Sequence, residues 1–181
     1  MLELSLHILD IVNNSVKANA NLIRITIDEA IEKNVLDIVI EDNGCGMDKE
    51  FLASVTDPFK TTRTTRKVGM GLSLFKAAAE NTGGYLTIDS KKNVGTVVKV
   101  RFTYNHIDRQ PLGDMSETMV SLMSGNEKID FLYEHKRNDK SFTLDTRKIK
   151  EILGEEISLG SPEIVLWLKD YLKEGLNGLS V

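Results

Sequence analysis

Cysteine, proline, histidine and tryptophan are all scarce here: one, three, three and one in 181 residues. The single thiol, Cys45, can close no internal disulfide, and one cysteine with three histidines falls short of a Cys/His zinc cluster. Both absences point to a reducing compartment and a fold held together by its core. Aromatics are sparse at 6%, yet hydrophobic residues make up 41% and charged residues 28%, the balance of an ordinary globular chain. Disorder, collagen and coiled coil are excluded as overall descriptions. No apolar run approaches the roughly 20 residues of a membrane span, and the opening MLELSLHILDIVNNS has no basic leader with a cleavage site. A cytoplasmic protein with no membrane partner is therefore expected. A surplus of positive charge is missing too. Net charge is −4; residues 1–104 carry 13 basic and 13 acidic side chains, and residues 105–181 carry 10 and 14. Neither half offers the basic stripe of a nucleic-acid binder, so no nucleic-acid partner is expected.

The length allows one full domain and a small appendage, with enough chain to close a core. Leu2, Leu6, Leu9, Val12 and Val16 recur at spacings of three and four, widened by Ile8 and Ile11, and predict an amphipathic helix over 2–19. His7 reads as a surface residue of that helix. LIRITIDE and VLDIVIED predict two strands of a hairpin, the second buried through Val35, Leu36, Ile38, Val39 and Ile40. Asp48 can cap a short helix from Lys49 that ends before Asp57-Pro58. A polar loop, KTTRTTRK, leads to a helix over Leu72 to Glu80, and strands follow at Tyr85 to Asp89 and Thr96 to Tyr104. Strands and helices come in separate runs, which predicts an α+β fold, a two-layer α/β sandwich with a small C-terminal α+β extension. The domain boundary is placed between residues 104 and 105. The tail then reads as a linker, a helix near Met115 to Met123, a hairpin about Asn138-Asp139, a helix over Thr146 to Leu153 and a last helix opened by Ser161-Pro162.

Four segments carry residues that a nucleotide site would need. Asp10 and Asn14 stand four apart, on one face of the first helix, so a carboxylate and an amide can meet one ligand. By themselves they read equally as a polar helix edge. Asp42-Asn-Gly-Cys-Gly-Met47 follows the most apolar strand. Its glycines let backbone approach a flat ligand, and its carboxylate can accept from an exocyclic amino group such as that of adenine. A calcium loop is disfavoured because its closing glutamate is missing. In KTTRTTRKVGMGL, Lys60, Arg63, Arg66 and Lys67 bring four positive charges among four threonines, and Gly69-Met-Gly71 opens a helix. Amides at a helix N-terminus suit phosphate. Neither the P-loop spelling nor the Rossmann fingerprint fits. Gly95-Thr96, entering the last strand of this half, reads alone as a hairpin turn.

In this order, D-x-x-x-N, D-N-G-x-G-M, P-F-x-T-T-[KR] with G-M-G-L, and G-T resemble the GHKL ATPase superfamily of gyrase, heat-shock chaperones, histidine kinases and mismatch-repair proteins, over residues 4–104. The resemblance implies the Bergerat fold, with ATP between helices and a lid at Phe59 to Lys67. It implies that Asn14 ligates Mg2+, that Asp42 reads the adenine amino group, and that Gly44 and Gly46 make room for the base beside Met47. Lys60, Thr61, Thr62 and Arg63 of the lid, with Gly69, Met70, Gly71 and Leu72, would serve the phosphates, and Thr96 the adenine end. Asp10 takes the place of the glutamate that orients water in hydrolysing members and is one methylene shorter, so slow turnover is expected. Lys67 replaces the first glycine of the usual phosphate box. No transducer domain fits in this length, and with six residues ahead of His7 no phosphoacceptor module is expected before the ATP domain.

Three activities remain open: a regulatory ATPase or histidine-kinase-like phosphotransfer protein, a serine/threonine kinase resembling anti-sigma-factor kinases, and a nucleotide sensor without turnover. In the second, Asp10 would be the base and Arg63 or Arg66 would stabilise the transferring phosphoryl group. The acidic tail suits a protein-interaction module, and a homodimer stays open. Trp167 and Tyr171, four apart on the last helix, read either as an exposed docking face or as the tail's own core.

Overall fold

A computed structural model describes residues 3–55, 71–154 and 156–180 of the chain. Its elements run α1 (Leu4–Lys17), β1 (Leu22–Ala30), β2 (Val35–Asp42), α2 (Lys49–Val55), α3 (Gly71–Glu80), β3 (Tyr85–Lys91), β4 (Gly95–Thr103), α4 (Met115–Gly125), β5 (Asp130–Arg137), β6 (Lys140–Asp145), α5 (Thr146–Leu153) and α6 (Pro162–Gly178). Local signals in the sequence account for most of these boundaries. Asp48 Oδ1 accepts from the Phe51 N–H at 2.8 Å and opens α2, as its position ahead of Lys49 leads one to expect. Pro162 starts α6, but the Ser161 side chain makes no capping bond there; the helix begins on the fixed φ of proline.

The six strands form one sheet in the order β3-β4-β2-β1-β5-β6, antiparallel throughout except where β5 lies parallel to β1. Side chains alternate across a strand, so the register decides which residues share a face. Ile88, Val98, Ile40, Ile25, Tyr133 and Leu144 lie abreast across all six strands, and Leu86, Val100, Ile38, Ile27, His135 and Phe142 form the next row. These rows join one core with Ile8, Ile11 and Val12 of α1, Phe75 and Ala79 of α3, Met119 and Met123 of α4, and Leu168 and Leu172 of α6. Each fully buried isoleucine or leucine contributes about 1.5–3 kcal/mol, and this apolar layer holds helices to sheet. The result is the two-layer α+β sandwich. The expected boundary at 104/105 falls among turns after β4, and the sheet runs across it, because β5 pairs with β1 from Leu22 to Glu29.

Two expectations need correction. The inward face of α1 is centred on Leu4, Ile8, Ile11 and Ser15, whereas Leu6 is exposed and Leu9 and Val16 are only partly buried. Hydropathy alone misplaces the stripe, because Ser5, His7 and Ser15 face inward: Ser5 and Ser15 bond carboxylates of Glu3 and Asp42, and His7 pairs through Nε2 alone while its buried Nδ1 has no hydrogen-bond partner among the described residues. His7 is therefore no surface residue. Its ring stacks on Phe75 at 4.9 Å and 4°, its Nε2 lies 3.1 Å from Gln110 Oε1, and burial lowers its pKa.

At one end of the sheet the helix-facing rows turn polar at Glu29. His135 Nε2 donates to Glu29 Oε1 (2.8 Å), the Tyr104 hydroxyl donates to Oε2 (3.1 Å), and Tyr133, its hydroxyl held protonated by burial, donates to His135 Nδ1 (2.8 Å). This chain of bonds ties β5 and the end of β4 to β1. Burial pushes the Glu29 carboxyl up, but the hydrogen bonds from His135 and Tyr104 and the charge of Arg137 outweigh it, so its pKa lies below the usual glutamate value. A depressed carboxyl contributes stability above its unfolded pKa and loses it as the pH falls through the folded one. Urea midpoints of the native chain should therefore hold from about pH 7 to about pH 5 and drop from there toward about pH 3. Glu29→Gln should be less stable at neutral pH and lose less over that interval; parallel pH slopes for the two proteins would refute the assignment.

Candidate nucleotide site

The opposite end of the sheet turns polar on the same face. Two residues beyond the Ile88 row, Ser90, Thr96 and Asp42 stand abreast, with Ile23 next to Asp42 on β1. Strand alternation carries these polar side chains toward the helices, where α1 crosses them. Ser15 of α1 donates its hydroxyl to Asp42 Oδ2 at 2.6 Å, and the Gly44 N–H donates to Asp42 Oδ1 at 2.9 Å. Each carboxylate oxygen keeps a further lone pair, so Asp42 is fixed in orientation and can still accept. Beside it, the Ser90 hydroxyl oxygen accepts from Met47 N–H (2.9 Å), lies 2.8 Å from Thr96 Oγ1 and 3.1 Å from the Gly95 carbonyl. With its one proton directed to the carbonyl, Ser90 receives the proton of Thr96, which leaves the Thr96 oxygen free to accept.

The loop after β2 is held from three sides. Asn43 Oδ1 accepts from the N–H groups of Asn21 and Leu22, both at 3.0 Å, and its Nδ2 donates to Asn21 Oδ1 at 2.6 Å. Cys45 N–H donates to the Ala18 carbonyl at 2.8 Å, and the Cys45 carbonyl accepts from Asn93 N–H at 2.7 Å. Gly44 runs so close to Ala18 that a Cβ would sit 2.8 Å from its carbonyl oxygen. Gly46 has φ +61°, and a Cβ there would come 2.0 Å from the Lys91 carbonyl. Glycine at 46 answers both the left-handed backbone and the close strand.

Along α1 from Ser15, the half-buried Asn14 side chain makes no hydrogen bond among the described residues, and Asp10 follows one turn on, exposed to solvent. Asp10 lies against the start of α3: a Cβ on Gly71 would be 3.1 Å from Asp10 Oδ2. The structure thus brings Asn14, Asp42, Gly44, Gly46, Met47 and Thr96 to one end of the sheet, with Asp10 and Gly71 together beyond them. Leu72 buries its side chain in the core, so what it presents outward is backbone in the first turn of α3. Lys60, Thr61, Thr62, Arg63, Gly69 and Met70 lie outside the described residues, as do the remaining lid positions. Sequence reasoning missed Ser15, Asn43 and Ser90. Ser90 was findable by pairing outward from the turn at Lys92 to Gly95, whereas Ser15 gave no signal, since hydropathy misplaces the inward face of α1.

Against known families, residues 2–106 match the model of the histidine kinase-, DNA gyrase B- and HSP90-like ATPases. The chain belongs to this family. Among curated relatives, a sensor-like histidine kinase of Rhizobium meliloti is 33% identical over 98 residues, 51% of this chain and 19% of that protein. The histidine protein kinase DivJ of Caulobacter vibrioides is 33% identical over 52% of this chain and 16% of its own. The chain thus spans under a fifth of the length of either. Among solved structures, the Aquifex aeolicus MutL ATPase domain complexed with ADP aligns with TM-score 0.51 at 15% identity, over 84% of this chain and 69% of that one. The N-terminal domain of a DNA repair protein aligns with TM-score 0.54 at 19% identity, over 86% and 58%. Both alignments reach past the 2–106 stretch, so the likeness of fold extends into the C-terminal strands and helices. In this chain, Gly46→Ala should lower the unfolding free energy by about 1–3 kcal/mol through backbone strain and the contact with Lys91. A chemical denaturation curve matching that of the native chain would contradict the geometry.

Proposed function

We propose that this chain binds ATP with Mg2+ at the end of the sheet marked by Asp42, and that it works as a regulatory ATPase or phosphotransfer protein of low intrinsic turnover toward a protein partner. The observation that carries the reading is the Asp42 carboxylate. It is held by Ser15 and Gly44 with accepting capacity to spare, in line with the Thr96 oxygen, at one end of a helix that presents Asn14 and then Asp10. Asp42 accepts from the exocyclic amine of adenine, and the Gly44 to Gly46 backbone leaves space for the ring. Asn14 lies about 6 Å from Asp10 along the helix axis and on the same face, so the amide and the carboxylate can meet one ligand.

The donor set suits magnesium. Among the described residues no group of three His, Cys, Asp or Glu could hold a metal by itself. Mg2+ keeps waters and phosphate oxygens and needs only one or two protein ligands, a role Asn14 fills. Bound there, the ion would supply neutralisation of phosphate charge. Asp10 accepts the proton of a water or of a partner's hydroxyl, and its short arm limits the rate. The N-terminus of α3, beginning at Gly71, offers backbone N–H groups to anionic oxygen. No helix among the described residues is long and apolar enough to cross a membrane. The cytoplasm is the compartment we assign, from the single unpaired cysteine.

Calorimetry on the purified chain should detect ATP binding that strengthens with Mg2+. Asp42→Asn should weaken it at least tenfold, about 1.4 kcal/mol. Asn14→Ala should remove the metal dependence. Asp10→Asn should leave affinity within about twofold while abolishing phosphate release or labelling of a partner. Turnover indistinguishable from background in native and Asp10→Asn proteins alike would make the chain a nucleotide sensor, and binding unchanged in Asp42→Asn would sink the site itself.

A further inference from the structure

The outward face of α6 carries two neighbouring aromatic side chains that the core does not absorb. Leu168 and Leu172 turn inward and are fully buried, whereas Leu166, Trp167 and Tyr171 remain 64%, 46% and 40% exposed. Of the two readings of Trp167 and Tyr171, the exposed face is the one the structure bears out. The two rings stack at 5.2 Å and 14°, and the Phe142 ring of β6 supports Tyr171 from beneath at 5.6 Å. Gly175 makes that support possible, since a Cβ there would come 2.1 Å from the Phe142 ring. The pair is thus a propped platform and not two loose side chains.

Glu163, Asp170 and Glu174 are exposed at helical spacings of seven and four, which sets them in one row beside the platform. None of the three forms an ion pair among the described residues. The cations of α6 do not neutralise the row. Lys169 pairs with Glu117 of α4, and Lys173 projects about a quarter-turn round the helix from Glu174. Exposed aromatic surface bordered by carboxylates of one sign has a specific complement. A guanidinium or ammonium group can stack on an indole or phenol face while pairing with a neighbouring carboxylate. A two-fold contact between copies of this chain would lay acid row on acid row, and nucleic acid would meet the same repulsion.

We propose that the outer face of α6 docks a Lys/Arg-rich segment of a partner protein, with Trp167 and Tyr171 as the stacking platform and Glu163, Asp170 and Glu174 as the acidic counterpart. This names the surface and the partner chemistry behind the protein-partner reading above and rests on that reading for its purpose; the binding itself needs no nucleotide. Trp167 is the only tryptophan of the chain, so its emission reports on this face directly. The full chain, free of ATP, is titrated with a peptide of about nine arginine and leucine residues and with its glutamate/leucine counterpart. The arginine peptide should shift Trp167 emission saturably, at least about tenfold tighter than the glutamate peptide, and more weakly as salt rises. Asp170→Asn combined with Glu174→Gln, both at exposed positions, should lose about tenfold in affinity with an unchanged circular dichroism spectrum. No shift, equal response to the two peptides or full affinity in the double variant would each overturn the proposal. A shift that follows protein concentration without peptide would give the face to a second copy, and one driven by duplex RNA would give it to nucleic acid; both also overturn it. Failure here leaves ATP binding standing, because the two titrations share no reagent.

Discussion

The 2.6 Å hydrogen bond from Ser15 to Asp42 is the contact on which the site is built. It joins α1, which carries Asp10 and Asn14, to the end of β2, which carries the carboxylate. A hydroxyl donating to an ionised oxygen is a short, charge-assisted bond, roughly twice as strong as a neutral one, and in this half-buried setting it fixes both partners. The core rows of isoleucine and valine decide where the helix can lie, and this bond decides how far along the sheet it sits. Asn14 then follows, its side chain without a hydrogen bond among the described residues, and Asp10 arrives at the first residue of α3.

The sheet is polar at both ends for one geometric reason. β1 and β2 run antiparallel, so Glu29 near the end of β1 and Asp42 at the end of β2 face the helices at opposite extremes of the same surface. Each carboxylate is enclosed by donors: Ser15 and Gly44 for Asp42, His135 and Tyr104 for Glu29. Their roles differ in what is left over. Asp42 ends beside a glycine loop with open acceptor capacity, whereas Glu29 has each oxygen tied to side chains of β5 or of the turn after β4. One end is arranged to receive a ligand and the other to hold two stretches of chain together.

Much of this was legible in the sequence because it is written in short-range periods. The α-helices and strands of the described residues were anticipated by spacing, capping or turn residues, though the 3-10 turn over Ile31–Lys33 was not, and the D-N-G-x-G-M spelling marked the loop in which Gly46 adopts φ +61°. The face of α1 was not legible. Ser15 and His7 look polar, yet they turn inward, since each finds a partner there in Asp42 or Gln110. Nor could local pattern foretell that β5 would lie parallel to β1, because that pairing joins residues about a hundred positions apart and depends on Ile23, Ile25 and Ile27 matching Phe131, Tyr133 and His135 across the seam.

That seam also bears on how the chain is made. Synthesis delivers β1 long before β5, and until residues 130–137 leave the ribosome one side of β1 carries unpaired N–H and C=O groups along an isoleucine-rich strand. Such an edge is a template for pairing with the wrong chain. The nascent chain therefore passes through an interval in which this edge stands open, until its own late-arriving hairpin pairs with it.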